Sequence, residues 1–143
     1  MDQLKTDLRD YFSKDDKFNN ATVKGAYDEI PVVSYPLITI LEILNEDNQR
    51  YDDIKGENIS DLGYQFDATT GNLPDMLAPD AAMLMSRKID DFIRNYENGR
   101  YKALRRTGRS AVLPLVNDNT KIKSSTTYMC SLDINKNIIY KLS

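Results

Sequence analysis

The stretch PLITILEILNE, residues 36–46, leaves little choice of fold. Side chains alternate along an extended chain. Leu37, Thr39, Leu41 and Ile43 therefore share one face, and Ile38, Ile40, Glu42 and Leu44 share the other. Both sets are largely apolar, the pattern of a central strand covered on both sides of a sheet. A second strand follows in ISDLGYQFDAT (59–69), where Leu62, Tyr64, Phe66 and Ala68 alternate with Gly63, Gln65, Asp67 and Thr69. It reads as half-buried. Between the two lies NEDNQRYDDIKGEN (45–58), acidic and containing Gly56, a long loop projecting from the sheet. Loops of this length without structure of their own are uncommon and often functional.

Helical periodicity appears in two other places. Leu4, Leu8, Tyr11 and Phe12 recur at the spacing of one helical face, with Asp2 placed to cap it. After residue 13 the pattern is lost, and Pro31 and Pro36 punctuate an extended approach. The main helix runs through LPDMLAPDAAMLMSRKIDDFIRNYENG (73–99). Asp80 is its candidate N-cap, Gly99 its left-handed terminator, and Ala81, Met85, Ile89, Phe92, Ile93 and Tyr96 form its apolar stripe. AVLPLVND (111–118) suggests a short strand. Thr126, Tyr128, Cys130, Leu132 and Ile134 then alternate with polar residues. Turn chemistry over 133–137 and the return of Ile138, Tyr140 and Leu142 complete a C-terminal β-hairpin. The expectation is one α+β domain over residues 1–143, a mainly antiparallel sheet with helices packed on it.

Charge is unevenly spread. Nineteen basic against 22 acidic residues give a net charge of −3. GRYKALRRTGRS (99–110) holds five of the cations, Arg100, Lys102, Arg105, Arg106 and Arg109, and no acid. Without them the balance is 14 against 22, a field that repels a phosphate backbone, whereas nucleic-acid-binding domains are usually basic overall.

The chain has no histidine, which removes the commonest general base, the usual catalytic triads and ordinary zinc sites. Cys130 is single and falls on an apolar face, as an inert thiol does. No glycine pattern cradles phosphate. The adjacent carboxylates Asp15–Asp16, Glu46–Asp47, Asp52–Asp53 and Asp90–Asp91 do not space like a calcium loop, and Asp90 and Asp91 read as a solvated helix flank. No cofactor, metal or enzymatic activity is expected. No apolar run approaches a membrane span, and MDQLKTDLRDYF lacks the features of a secretion signal. The expectation is a soluble protein made in a cytoplasm.

The order of elements and the phrases YPLITI, LGYQFDA, RYKALRRTG and TTYMCSLDINKNIIY together resemble the tail-terminator (tail-completion) and related head–tail joining proteins of the neck of long-tailed bacteriophages. That resemblance implies a homo-oligomeric ring, a hexamer, that caps the tail tube and stops its growth. Its partners would be further copies of itself, the major tail tube protein and a head–tail connector or stopper protein, with genomic DNA only passing through. The site of action would be the virion, after assembly in the host cytoplasm. Two other readings stand beside it. One is a stopper or minor head–tail joining protein. The other is a nucleic-acid-binding accessory protein using residues 100–109, with Tyr96 and Tyr101 as stacking groups.

In a head-to-tail ring each subunit presents two different patches to its neighbours. The acidic loop (Glu46, Asp47, Asp52, Asp53 and Glu57 against Arg50 and Lys55) and the basic stretch (Arg100, Lys102, Arg105, Arg106 and Arg109) are complementary in sign. Meeting across subunits, they would fix register and partner choice more than affinity.

Overall fold

In chain order the elements are α1 (Asp2–Ser13), β1 (Thr22–Gly25), β2 (Leu37–Asp47), β3 (Ile59–Thr70), α2 (Ala78–Asn95), β4 (Arg105–Arg109), β5 (Leu113–Pro114) and β6 (Ile122–Asp133). They come from a computed structural model that describes residues 2–30, 33–47, 59–110 and 112–133. The strands form one sheet in the order β1-β2-β3-β6-β4, with β5 beside β6. Only β1 and β2 run parallel; the other pairs are antiparallel. The expected α+β fold, a largely antiparallel sheet carrying helices, is the fold observed.

Both helices lie on one face of the sheet. Leu4, Leu8 and Phe12 of α1 and Ala81, Met85, Ile89, Phe92 and Ile93 of α2 are buried, as their spacing requires. Beneath them the sheet offers Val23, Ile38, Ile40, Tyr64, Phe66, Ala68 and Tyr128, all buried. Ser86 and Ser124 meet at 2.8 Å where α2 crosses β6, two small side chains that satisfy each other in the core.

β2 departs from expectation. It is second from the edge, and its Leu37, Thr39 and Leu41 face is only half-buried while Ile43 is exposed. Among the described residues the sheet is covered on one side only. β1 gave no sequence signal because four residues with two glycine or lysine positions are too short to show alternation. Glu46 and Asp47 belong to β2, paired with Asp61 and Ser60, so the strand runs into the expected loop. Arg50, Asp52, Asp53, Lys55 and Glu57 lie outside the described residues. So do the turn and return arm of the expected C-terminal hairpin, beyond β6. The strand expected over 111–118 shrinks to Leu113–Pro114.

α2 starts and stops differently too. Leu77 occupies the N-cap position, and the Ala78 amide donates instead to Oδ1 of Asn72 at 2.8 Å. Asp80 sits three residues past the cap, in the first turn, where its charge complements the helix dipole. The helix ends at Asn95, four residues before Gly99. Glu97, Asn98 and Gly99 then take φ of 45°, 61° and 81°, a left-handed turn that swings the chain back toward α1.

Candidate functional site

The basic stretch begins in that turn and ends as the edge strand β4. Its five cations part into three groups. Arg100 points inward: Nη1 donates to Oδ2 of Asp7 at 2.7 Å, and Nη2 pairs with Glu97. The same Asp7 oxygen accepts from the Tyr101 hydroxyl, and Oδ1 accepts from Nε2 of Gln3 at 2.8 Å. Asp7 is 5% exposed, so this carboxylate is an internal post joining α1 to the segment after α2.

Arg106 and Arg109 lie on the helix-bearing face, since they pair with Tyr128 and Thr126. Arg106 Nη1 reaches Oδ2 of Asp90 at 3.2 Å, and Arg94 reaches the same oxygen at 3.1 Å. Arg109 is half-buried, and its Nε and Nη2 have no hydrogen-bond partner among the described residues. Arg105 and Lys102 form the third group. Arg105 pairs with Met129 on the open face. Both cations are exposed and line a cleft of about 910 Å³ with Asp61, Thr107, Met129 and Cys130. Among the described residues neither has an ion-pair partner within 4 Å.

Cys130 is therefore half-buried at a cleft wall rather than sealed in the core. Burial, helped by the charge of Asp61, pushes its thiol up to about 11.

Sequence reasoning missed the polar framework under this surface. Asp91 is exposed, as a solvated flank should be, but Asp90 is largely covered. Asp90 Oδ1 accepts from the Tyr128 hydroxyl at 2.9 Å, while Asp91 accepts from Tyr11 and Asn95, each at 2.8 Å. Tyr96 donates to Asp10 at 2.9 Å. Burial, then the neighbouring carboxylate, drives the phenols of Tyr11, Tyr96, Tyr101 and Tyr128 well above the ordinary tyrosine range. Each stays a neutral donor to a carboxyl oxygen. The only hint in the sequence is a tyrosine or aspartate at the margin of each apolar stripe.

Two of these tyrosines were the stacking groups of the nucleic-acid reading. Tyr101 is fully buried and stacks on Phe92 with centroids 5.1 Å apart, and Tyr96 packs on the same ring at 4.9 Å. Tyr101 offers no free face to a base, and half-buried Tyr96 is held by Phe92 and by its bond to Asp10.

The described members of the acidic patch, Glu46 and Asp47, fall at the same end of the sheet as Lys102 and Arg105. Glu46 is beside Asp61 in the β2–β3 ladder, and Asp61 lines the cleft that holds Lys102 and Arg105. Glu46 and Asp47 thus leave β2 three strands from the start of β4, roughly 14 Å across the sheet.

The chain matches no protein-family model and has no significant match among curated proteins.

Proposed function

We propose that this chain is a structural protein of the bacteriophage neck, a tail terminator that forms a ring, caps the tail tube and receives the head connector. The reading rests on the resemblance of its four sequence phrases and on one structural observation. Arg105 and Lys102, on one margin of the sheet, are exposed cations with no ion-pair partner within 4 Å among the described residues, while Glu46 and Asp47 end the strand on the opposite margin. Opposite charges on opposite margins suit head-to-tail contact between copies. The described tyrosines near the basic stretch are committed to the core, which weakens the nucleic-acid alternative.

Partners would be other copies of the chain, the tail tube protein beneath and the connector or stopper above, with DNA only in transit. The stopper reading differs in which partner the ring meets. Removing the protein from an infected cell separates them. A terminator's loss gives tails of uncontrolled length, and normal-length tails left unjoined to heads would favour the stopper. Normal tails on full heads would overturn both. Electron-microscopy class averages of the purified protein should show a ring.

A further inference from the structure

The two outer margins of the sheet are not equally closed. β1, on one side, is capped along its outer edge. Arg9 Nη2 donates to the Val23 carbonyl at 3.0 Å, and Asp28 takes the Gly25 amide with its side chain at 2.7 Å and donates its own amide to the Gly25 carbonyl. Three of the four outward backbone groups of Val23 and Gly25 are thereby taken. β1, however, covers β2 only from Leu37 to Ile40. Among the described residues no strand pairs with the outer edge of β2 from Leu41 to Asp47, or with the outer edge of β4.

These two open edges correspond in height. Following the ladders across the sheet, Arg105 is level with Met129, Gly63 and Leu44. Arg106 is level with Tyr128, Tyr64 and Glu42, and Gly108 with Thr127, Gln65 and Leu41. Arg109 is level with Ile40, where β1 stops. The open part of β2 thus starts where the open part of β4 ends. Direction agrees as well. Three antiparallel steps separate β2 from β4, so they run oppositely. Rotation about an axis along the strands preserves strand direction. A second copy placed that way sets its β2 antiparallel to β4, and the ladder continues without a break.

We propose that β4 of one copy pairs edge to edge, over Arg105–Gly108, with the Leu41–Leu44 part of β2 in the next, joining the sheets of successive subunits. Charge favours this partner over itself: in this register Arg106 stands level with Glu42, and Arg105 lies next to the end of β2 that carries Glu46 and Asp47. Two arginine edges, or two acidic ones, repel. The proposal rests on the ring reading in taking a second copy as the partner, and it adds which strands meet. Both edges also carry a bulge, between Glu42 and Leu44 and between Arg106 and Gly108. Bulges and charges also serve to keep an edge unpaired, so a monomer with two blunted edges is the competing outcome.

The test uses the full chain with Cys130→Ser, adding Glu42→Cys and Arg106→Cys together and singly. Oxidation should link the double variant into a multimer running to the full subunit number on a non-reducing gel, and leave each single variant unlinked. Disulfide dimers of either single variant would mean like edges meet and would overturn the proposal. Native mass spectrometry of the unmodified protein separates the two readings. A ring whose subunits do not cross-link at 42/106, 41/108 or 44/105 is held by another surface: the edge pairing falls and the ring stands. A monomer that does not cross-link sinks both. Should the variants fail to fold, amide exchange on the unmodified protein decides. Slower exchange at 41–44 and 105–108 in the assembled fraction than in monomer is expected, and equal rates overturn the pairing.

Discussion

The Tyr128 hydroxyl donates to Oδ1 of Asp90 at 2.9 Å, fastening the middle of β6 to the flank of α2. Arg94 and Arg106 hold the other oxygen of the same carboxylate. Removing the phenol leaves Asp90 with both cations, so Tyr128→Phe should cost only about 1.5–3 kcal/mol, the range for a hydrogen bond to a charged group. Urea denaturation measures it. A cost near zero would mean that water replaces the phenol.

Among the described residues that bond is one of four of its kind, and together they set a limit at high pH. Tyr11, Tyr96, Tyr101 and Tyr128 hold their protons far above the ordinary range, and burial beside Glu42 pushes Tyr64 up to about 12. In the unfolded chain a tyrosine releases its proton near pH 10. Above that pH the unfolded state binds fewer protons than the folded one, so stability falls as pH rises toward the folded values and is fully present below about 10. Spectrophotometric titration should show these five of the nine tyrosines ionising only as the protein unfolds. Free ionisation of all nine near pH 10 in folded protein would contradict the network.

Asp7 is the deeper anchor. Truncation to alanine strips partners from Arg100, Tyr101 and Gln3 at once and should cost about 3–5 kcal/mol, as breaking a buried pair does. Asp7→Asn keeps acceptors for Tyr101 and should cost less. Equal losses would show that charge, not hydrogen bonding, holds the site.

Gly99 carries φ of +81°, and a Cβ there would meet Lys102 Cδ at 2.9 Å and the Arg94 carbonyl at 3.3 Å. Lys102 can swing aside, but the left-handed backbone alone costs a side chain roughly 1–2 kcal/mol. Gly99→Ala should lose about that much in a denaturation curve. Gly99→Asn should lose less, because asparagine tolerates this conformation.

Much of this fold was legible because it follows from period. The stripe from Ala81 to Ile93 and the alternations at Tyr64–Phe66–Ala68 and Thr126–Tyr128 each announced an element and its buried side. What sequence could not give was partner choice. Asp7 and Tyr101 stand 94 positions apart, and an aspartate beside an apolar stripe looks the same whether water or a phenol meets it. RRTGR reads as a charged loop because nothing local marks it as strand; β6 imposes that conformation by pairing. The apolar residues on both sides of β2 promised cover on both faces, and that cover is absent among the described elements. A strand meant to be covered by another copy would carry the same pattern.

Cys130 gives a test of the cleft itself. With its thiol raised to about 11 by burial and by Asp61, almost none is thiolate at neutral pH. Alkylation of folded protein should be slow at pH 7 and quicken only as pH nears that value, whereas the unfolded chain reacts at an ordinary rate. Fast reaction at pH 7 would mean that the wall of the cleft is open at Met129 and Cys130.

The last prediction separates two arginines that are adjacent in sequence. Arg106 lies on the helix side against Asp90, whose side chain is 14% exposed, while Arg105 lies on the open face without an ion-pair partner among the described residues. Arg106→Glu sets two acids together and should cost about 1–3 kcal/mol of stability, within the range of damaging point changes. Arg105 is exposed and has no ion-pair partner within 4 Å among the described residues, so Arg105→Glu should shift stability by less than about 0.5 kcal/mol. Assembly should respond in the opposite order. Reversal at Arg105 puts like charges across the contact and should lower the assembled fraction with the monomer intact. Adding Asp52→Lys and Asp53→Lys should restore part of it if the acidic stretch is what Arg105 meets. Normal assembly by Arg105→Glu would remove this residue from the contact, and failed rescue would assign it another partner.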